Sequence, residues 1–236
     1  MAIFNFNEIR NYNTSYKSYD EMIVENQFID ERNIDLGRTK EYDIFLSHSY
    51  ADREIIPHLK QVLEDMGYKV YVDWIDDKLL SRDSITKETA KILQLRMTQS
   101  KSLFYATSDN SKKSKWMPWE LGYFDGIKNK RVAILPIKNT NNGFNKDFEG
   151  QEYLGLYYYI SIDKLSREFQ HKAMMMEKNA LQELITKFDT IDKLFINENS
   201  SKFVVFEEWL DGENPYTLED EHDKIMKEYN GGNENE

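Results

Sequence analysis

Cysteine is absent from the 236-residue chain, which excludes disulfides, a thiol nucleophile and a thiolate metal site, and suits a reducing cytosol. An excess of positive charge is missing too: 31 Lys and Arg stand against 42 Asp and Glu, a formal net charge of -11. Such a chain repels phosphate backbones and anionic lipid, so neither nucleic-acid nor membrane binding is expected, although a local basic stretch can still hold a small anion. No run approaches the roughly 20 apolar residues that span a bilayer, and Met1 to Asn13 lacks the basic-then-apolar pattern of a signal segment. A cytoplasmic protein is expected. Also lacking are a Walker-type loop, a G-x-G-x-x-G turn, a His/Cys metal cluster and internal repeats, so no metal centre and no retained dinucleotide cofactor is expected.

What the chain does have is a 40% share of hydrophobic residues, enough for a substantial core in one main domain with attached segments. Residues 1–40 are polar and aromatic and read as an arm or short helix outside the core. At Tyr42 the texture changes: YDIFLS is a short apolar run bounded by polar HSYADRE and predicts the first strand. Ile55, Ile56, Leu59, Val62, Leu63 and Met66 then recur at spacings of three and four, predicting a helix that has Pro57 in its first turn and ends at Gly67. YKVYVDW reads as a second strand and IDDKLLSRDS as a charged loop. ITKETAKILQLRMTQS reads as a second helix with Ile85, Ala90, Leu93 and Met97 inward, and KSLFYATS as a third strand.

The polar DNSKKSK leads into WMPWELGYFDGIKN, a helix in which Pro118 must occupy the first turn and Gly122 and Gly126 are expected to permit close packing. RVAILPI closes a fourth strand. Strands alternating with helices imply right-handed crossovers and a doubly wound parallel α/β sheet, with ligands beyond the carboxyl ends of its strands. Further on, KNTNNGFNKDFEGQ reads as a loop, YLGLYYYISI as a fifth strand, Lys164 to Phe188 as a helix, KFVVFEEWL as a short apolar stretch, and the acidic end from Glu219 as a fraying tail. The resulting division is an arm over 1–40, a main domain over 41–192, and a mainly helical extension with an acidic tail over 193–236.

Four features in order, YDIFLSHSYAD, GYKVYVDW, SLFYATSDNSKKSKW and WMPWELGYFDG, resemble bacterial Toll/interleukin-1 receptor (TIR) domains, most clearly over residues 41–137. The chain also resembles the TIR subunit of Thoeris-type anti-phage defence systems. The resemblance implies a flavodoxin-like fold and either of two activities: cleavage of NAD+ at the nicotinamide-ribose bond, or assembly of signalling complexes through TIR-TIR contacts. NAD+ is then a substrate, not a cofactor. In enzymatic TIR domains a glutamate on the helix after the third strand is essential, and here that position is Glu120.

The chemistry supports such a role, because loss of nicotinamide develops oxocarbenium character on the ribose, which a nearby carboxylate stabilises. Spacing alone reads Glu120 as an ordinary solvated acid near a helix N-terminus; the four-part match reads it as catalytic. Trp116, four residues earlier, projects from the same helical face and would set an aromatic wall beside the carboxylate, whereas Trp119 has no clear facing. Ser47 and His48 follow the first strand, where they can bind phosphate or ribose or act as turn residues. Asp73, at the end of the second strand, matches an acid common in the family or caps the charged loop. In that loop many TIR domains carry glycine where this chain has Arg82 before Asp83 and Ser84. Arg82 offers a donor fork for a pyrophosphate or is a solvated surface arginine. The resemblance adds Ser84 to the substrate-binding set, and Ile85 as a residue lining the nicotinamide side of the pocket or the core.

Two functions are therefore expected to compete: an NAD+ glycohydrolase or ADP-ribose cyclase in anti-phage signalling, and a non-enzymatic interaction module. Either implies homo-oligomers through TIR-TIR contacts, with Leu79 and Leu80 of the charged loop as candidate contact residues. The enzyme reading adds a downstream effector that senses the nucleotide product.

Overall fold

A computed structural model describes residues 4–18, 20–21, 40–77, 86–128, 131–138, 151–162, 193–199 and 201–231. The chain divides into two compact units, Phe4–Tyr157 and Tyr158–Glu236, the second including Met1–Ile3. In the first unit, β1 (Phe4–Asn5) and α1 (Phe6–Asn11) precede β2 (Tyr42–Ser47), α2 (Ile56–Asp65), β3 (Val70–Tyr71) and the short α3 (Asp73–Asp76). Then come α4 (Lys87–Thr98), β4 (Ser100–Thr107), α5 (Trp116–Ile127) and β5 (Val132–Lys138). Pairing is parallel throughout, in the order β3-β2-β4-β5, and β1 adds in parallel against Ile137 and Lys138. The strands read as continuous apolar runs because both faces of such a sheet are covered: Ile44 to Leu46, Leu103 to Ala106 and Val132 to Leu135 are all buried.

Right-handed crossovers put α2 on one face and α4 and α5 on the other, since the chain steps left from β2 to β3 and right thereafter. This is the flavodoxin-like order, and its direction reverses between β2 and β4. Helix α2 follows the expected stripe, with Ile55, Ile56, Leu59 and Leu63 buried and Pro57 in its first turn. It stops where expected, because Gly67 adopts φ +98, a region that disfavours any side chain.

The edge departs from expectation. YKVYVDW contributes only Val70–Tyr71 to the ladder, because Asp76 Oδ2 takes the Val72 amide at 2.7 Å and the Val72 carbonyl takes the amides of Ile75 and Asp76. The chain therefore turns into a helix at Asp73 instead of ending a strand there. Lys60, 2% exposed, secures this edge by donating to the Val70 carbonyl and to Asp76 Oδ2, the latter at 3.0 Å. On α4, Leu93 and Met97 face inward as expected and Ala90 is half-buried, but Ile92 and Arg96 are buried too. Ile85 lies outside the described residues, as do Leu79, Leu80 and the expected helix from Lys164 to Phe188.

The arm is more than an appendage: Phe4 and Ile9 are buried. Its following residues strap α2, with Tyr12 Oη on Asp65 at 2.7 Å, His58 Nδ1 on the Tyr12 carbonyl at 2.5 Å and Ser15 Oγ on Gln61 at 2.9 Å. Gly122 and Gly126 are exposed, and a Cβ on either would meet open space, so they do not serve close packing among the described residues.

In the second unit β6 (Tyr158–Ile162), β7 (Leu194–Asn197) and β8 (Phe203–Val205) form an antiparallel meander. The expected strand YLGLYYYISI thus begins only at Tyr158, its first half being the 3-10 turn Glu152–Leu156. Buried Asn197 uses its amide to bridge the carbonyls of Tyr159 and Phe195 and the hydroxyl of Ser161. Helix α6 (Phe206–Asp211) buries Phe206 and Trp209. The acidic end is helical, not frayed: α7 runs over Leu218–Gly231. Thr217 and Asp220 cap its start reciprocally, Thr217 N on Asp220 Oδ2 at 2.9 Å and Asp220 N on Thr217 Oγ1 at 3.1 Å, while Leu218, Glu221 and Ile225 form its buried stripe.

A buried ion pair of the first unit is made by Arg96, whose Nε and Nη2 clamp the two oxygens of Asp77 at 2.7 and 2.8 Å while Tyr71 Oη donates to Oδ2 at 2.9 Å. Arg96 is 1% exposed, so removing its counter-charge strands a buried guanidinium. Asp77→Ala is expected to destabilise the fold by about 3–5 kcal/mol in urea melts, and Tyr71→Phe by only about 1 kcal/mol. Equal losses for the two variants would show that the ion pair is not the organising contact.

Candidate active site

Glu120 lies on the buried stripe of α5 with Met117, Leu121 and Phe124, at spacings that put all four on the face turned to the sheet. It is 0% exposed, so the reading of a solvated acid at a helix start does not hold. Ser114 Oγ, one residue before the N-cap Lys115, accepts the Met117 amide at 3.3 Å, while Pro118 occupies the first turn.

The carboxylate meets Ser47, whose hydroxyl donates to Glu120 Oε2 at 2.5 Å. Ser47 is the last residue of β2 and the parallel partner of Tyr105 on β4, so this contact sits at the carboxyl ends of the two strands between which the winding reverses. Tyr105 is buried beside it. Burial, first, then bonding to Tyr153 push its phenol up, and the Glu120 charge adds to the shift, so the ring stays neutral. Gln151 Nε2 donates to Tyr105 Oη at 2.9 Å, and Ser111 Oγ reaches Gln151 Oε1 at 3.3 Å.

His48 is fully buried, and both its ring nitrogens serve the fold. Nδ1 donates to the Leu46 carbonyl at 2.9 Å and Nε2 accepts from Trp74 Nε1 at 3.0 Å, which defines a neutral tautomer and leaves neither nitrogen for phosphate or ribose. Its described role is to tie the end of β2 to α3. Asp73, 4% exposed, opens α3 with its Oδ1 3.9 Å from His48 Nε2, beyond hydrogen-bond reach. Trp116 is half-buried, and its ring meets Trp119 edge-on at 5.3 Å, beginning an aromatic row that continues in the stacked pair Trp119 and Tyr123 at 5.9 Å. With about 100° per residue, Trp116 stands some 40° from Glu120, at the border between the aromatic row and the buried stripe.

Of the residues expected from sequence, the structure thus joins Ser47 to Glu120 and sets Trp116 beside their helix face. Arg82, Ser84 and Ile85 lie outside the described residues. Sequence reasoning missed Tyr105 and Gln151. Tyr105 could have been found from register, since the third strand must lie beside the first; Gln151, just past an Asn/Gly-rich stretch, carries no local signal. Among the described residues, no group of His, Asp or Glu could hold a metal ion, and no helix is long and apolar enough to cross a membrane.

Comparison with known proteins agrees with this architecture. A family model described as TIR domain matches residues 44–174. A protein of Bacillus cereus (strain MSX-D12), provisionally named 3' cyclic ADP-D-ribose synthase ThsB', is 42% identical over 216 residues, spanning 89% of this chain and 98% of its own length. A protein of Cytobacillus dafuensis, provisionally named cyclic ADP-D-ribose synthase TIR2, is 35% identical over 85 residues, 36% of this chain and 22% of its own length.

The Ser47-Glu120 contact can be weighed on its own. Ser47→Ala removes a donor from a buried carboxylate and is expected to destabilise the fold by about 1–3 kcal/mol, but by less in a Glu120→Gln background. A double-mutant cycle in urea should therefore return a coupling of about 1 kcal/mol; strictly additive effects would show that the two side chains do not support one another.

Proposed function

The chain belongs to the TIR-domain family, and on that premise we propose that it cleaves the nicotinamide-ribose bond of NAD+ and yields an ADP-ribose product, acting as a signal-making enzyme in anti-phage defence. The observation that carries the reading is Glu120 held by Ser47 at the reversal of strand order, the place where doubly wound sheets bind ligands. Similarity over nearly the whole length of a relative named as a cyclic ADP-ribose synthase favours cyclisation over plain hydrolysis.

In the proposed reaction the bond between C1' and the pyridinium nitrogen breaks, and its electron pair leaves with nicotinamide, which departs neutral and needs no acid. The ribose is left with oxocarbenium character, and the Glu120 carboxylate stabilises that charge or holds the ribose hydroxyls. A nucleophilic group of the same ADP-ribose then closes on C1' in a cyclase, or water in a hydrolase, and releases a proton. Ser47 orients the carboxylate. Trp116 offers its ring beside it, Asp73 contributes negative charge near the β3 end, and Arg82, Ser84 and Ile85 complete the substrate-binding set, Arg82 toward the pyrophosphate. His48 holds the β2 end in the form described, and binding NAD+ through its ring would require it to release Leu46 or Trp74.

The complete burial of Glu120 means that ribose reaches it only when the residues over it are displaced. Self-association is proposed as the event that opens and completes the site, and a downstream protein that senses the nucleotide as the receiver of the signal. The same burial is the one observation that favours a second reading, a non-enzymatic TIR module.

Incubation with NAD+ and mass spectrometry of the products separates the two readings. Glu120→Gln keeps size and removes charge, so it is expected to lower cleavage roughly a hundredfold or more while the melting temperature holds. Activity within a few-fold of the unaltered chain would remove Glu120 from the mechanism. Specific activity should also rise with protein concentration; a constant value over a wide dilution series would show that one chain suffices.

A further inference from the structure

Asp52, in the motif HSYAD, has no part in the reading above. It ends the 3-10 turn Tyr50–Asp52 that follows β2, a turn capped by Ser49 Oγ, and it is 4% exposed. Its two oxygens both face the segment that follows β4: Ser108 Oγ donates to Oδ2 at 2.5 Å and Asn110 Nδ2 to Oδ1 at 2.7 Å. One carboxylate thus bridges the two chain segments that leave the carboxyl ends of β2 and β4, the strands that flank the Ser47-Glu120 contact.

From there the segment is pinned step by step toward α5. Ser111 Oγ donates to the Ser108 carbonyl at 2.9 Å, the Ser114 amide donates to the Ser111 carbonyl at 3.1 Å, and Ser114 Oγ caps the Met117 amide. Ser111 also reaches Gln151, which donates to Tyr105 beside Glu120. A contiguous set of hydrogen bonds therefore runs from Asp52 to the first turn of the helix that carries Glu120, and a parallel branch runs to the phenol next to it. Burying a carboxylate among neutral donors is costly, and an amide of the same shape would keep the Asn110 bond and donate to the Ser108 hydroxyl, so only loss of the polar end breaks both contacts.

We propose that Asp52 is a positioning residue: its carboxylate clamps the turn after β2 to residues 108–114 and so sets where α5 begins and where Glu120 meets Ser47. The functional part of this inference rests on the proposed NAD+ cleavage; the structural part does not.

The test is Asp52→Ala in the full chain, which removes both acceptors, read by NAD+ kinetics and by hydrogen-deuterium exchange. The clamp predicts a fall in kcat of roughly tenfold or more with KM changed less than about threefold, because geometry and not binding is disturbed. It also predicts faster exchange confined to residues 49–52 and 108–117, with β4 and β5 protected as before. Ser108→Ala should move both readouts in the same direction to a lesser extent, and it carries the test if Asp52→Ala does not fold. A kcat within twofold of the unaltered chain overturns the proposal, as does a fall in kcat without the local rise in exchange or with a uniform rise across the chain. If the unaltered chain consumes no NAD+, the enzyme reading fails on its own, and the clamp is then judged by exchange alone: a confined rise keeps it and its absence overturns it.

Discussion

A carboxylate with no exposed surface, met by the Ser47 hydroxyl where the strand order reverses, is the constraint around which the first unit is arranged. Removing a carboxylate from water is among the larger penalties a fold can carry, and a helix whose inner stripe otherwise holds Met117, Leu121 and Phe124 would be better packed by a fourth apolar side chain. The fold brings the end of β2 to it through Ser47 and sets Tyr105, near the end of β4, close by. That geometry is available because parallel strands end together, and because the winding reverses between β2 and β4 and leaves a crevice at their carboxyl ends.

The neighbouring polar contacts fall into two groups around this point. On one side His48, fixed between the Leu46 carbonyl and Trp74, ties the end of β2 to the turn that follows β3. On the other side Asp52, Ser108, Asn110, Ser111 and Gln151 tie the exits of β2 and β4 to each other. Further away, Arg96 with Asp77 and Lys60 with Asp76 hold the two-residue edge strand, which has too few ladder bonds to hold itself.

The sheet and its helices were legible because hydrophobic periodicity reports them directly. The YDIFLS run, the stripe from Ile55 to Leu63, the stop at Gly67 and the early Pro118 each have one physical explanation, and each appears as expected. What periodicity cannot report is a polar side chain used internally. Glu120 read as solvated from its place near a helix N-terminus, whereas it shares the inner face with Met117, Leu121 and Phe124. Arg96 and Lys60 were passed over for the same reason. Asp76 ended a strand by capturing the Val72 amide, and Thr217 with Asp220 turned an acidic tail into a helix; both effects are local side-chain hydrogen bonds that compete with average propensity. Glu120 as a candidate acid came from ordered family motifs, and the structure joins to it Ser47, which the sequence had offered as a phosphate or ribose ligand.

Because Glu120 has no exposed surface, it must be uncovered before a ribose can meet it. The most direct measurement is a crystal structure of the chain, assembled at high concentration, with a cleavage-resistant NAD+ analogue. The account predicts that the Glu120 carboxylate, still oriented by Ser47, is uncovered and lies about 3 Å from the hydroxyls of the nicotinamide-bearing ribose. An analogue bound elsewhere, with Glu120 still buried against Ser47, would contradict it.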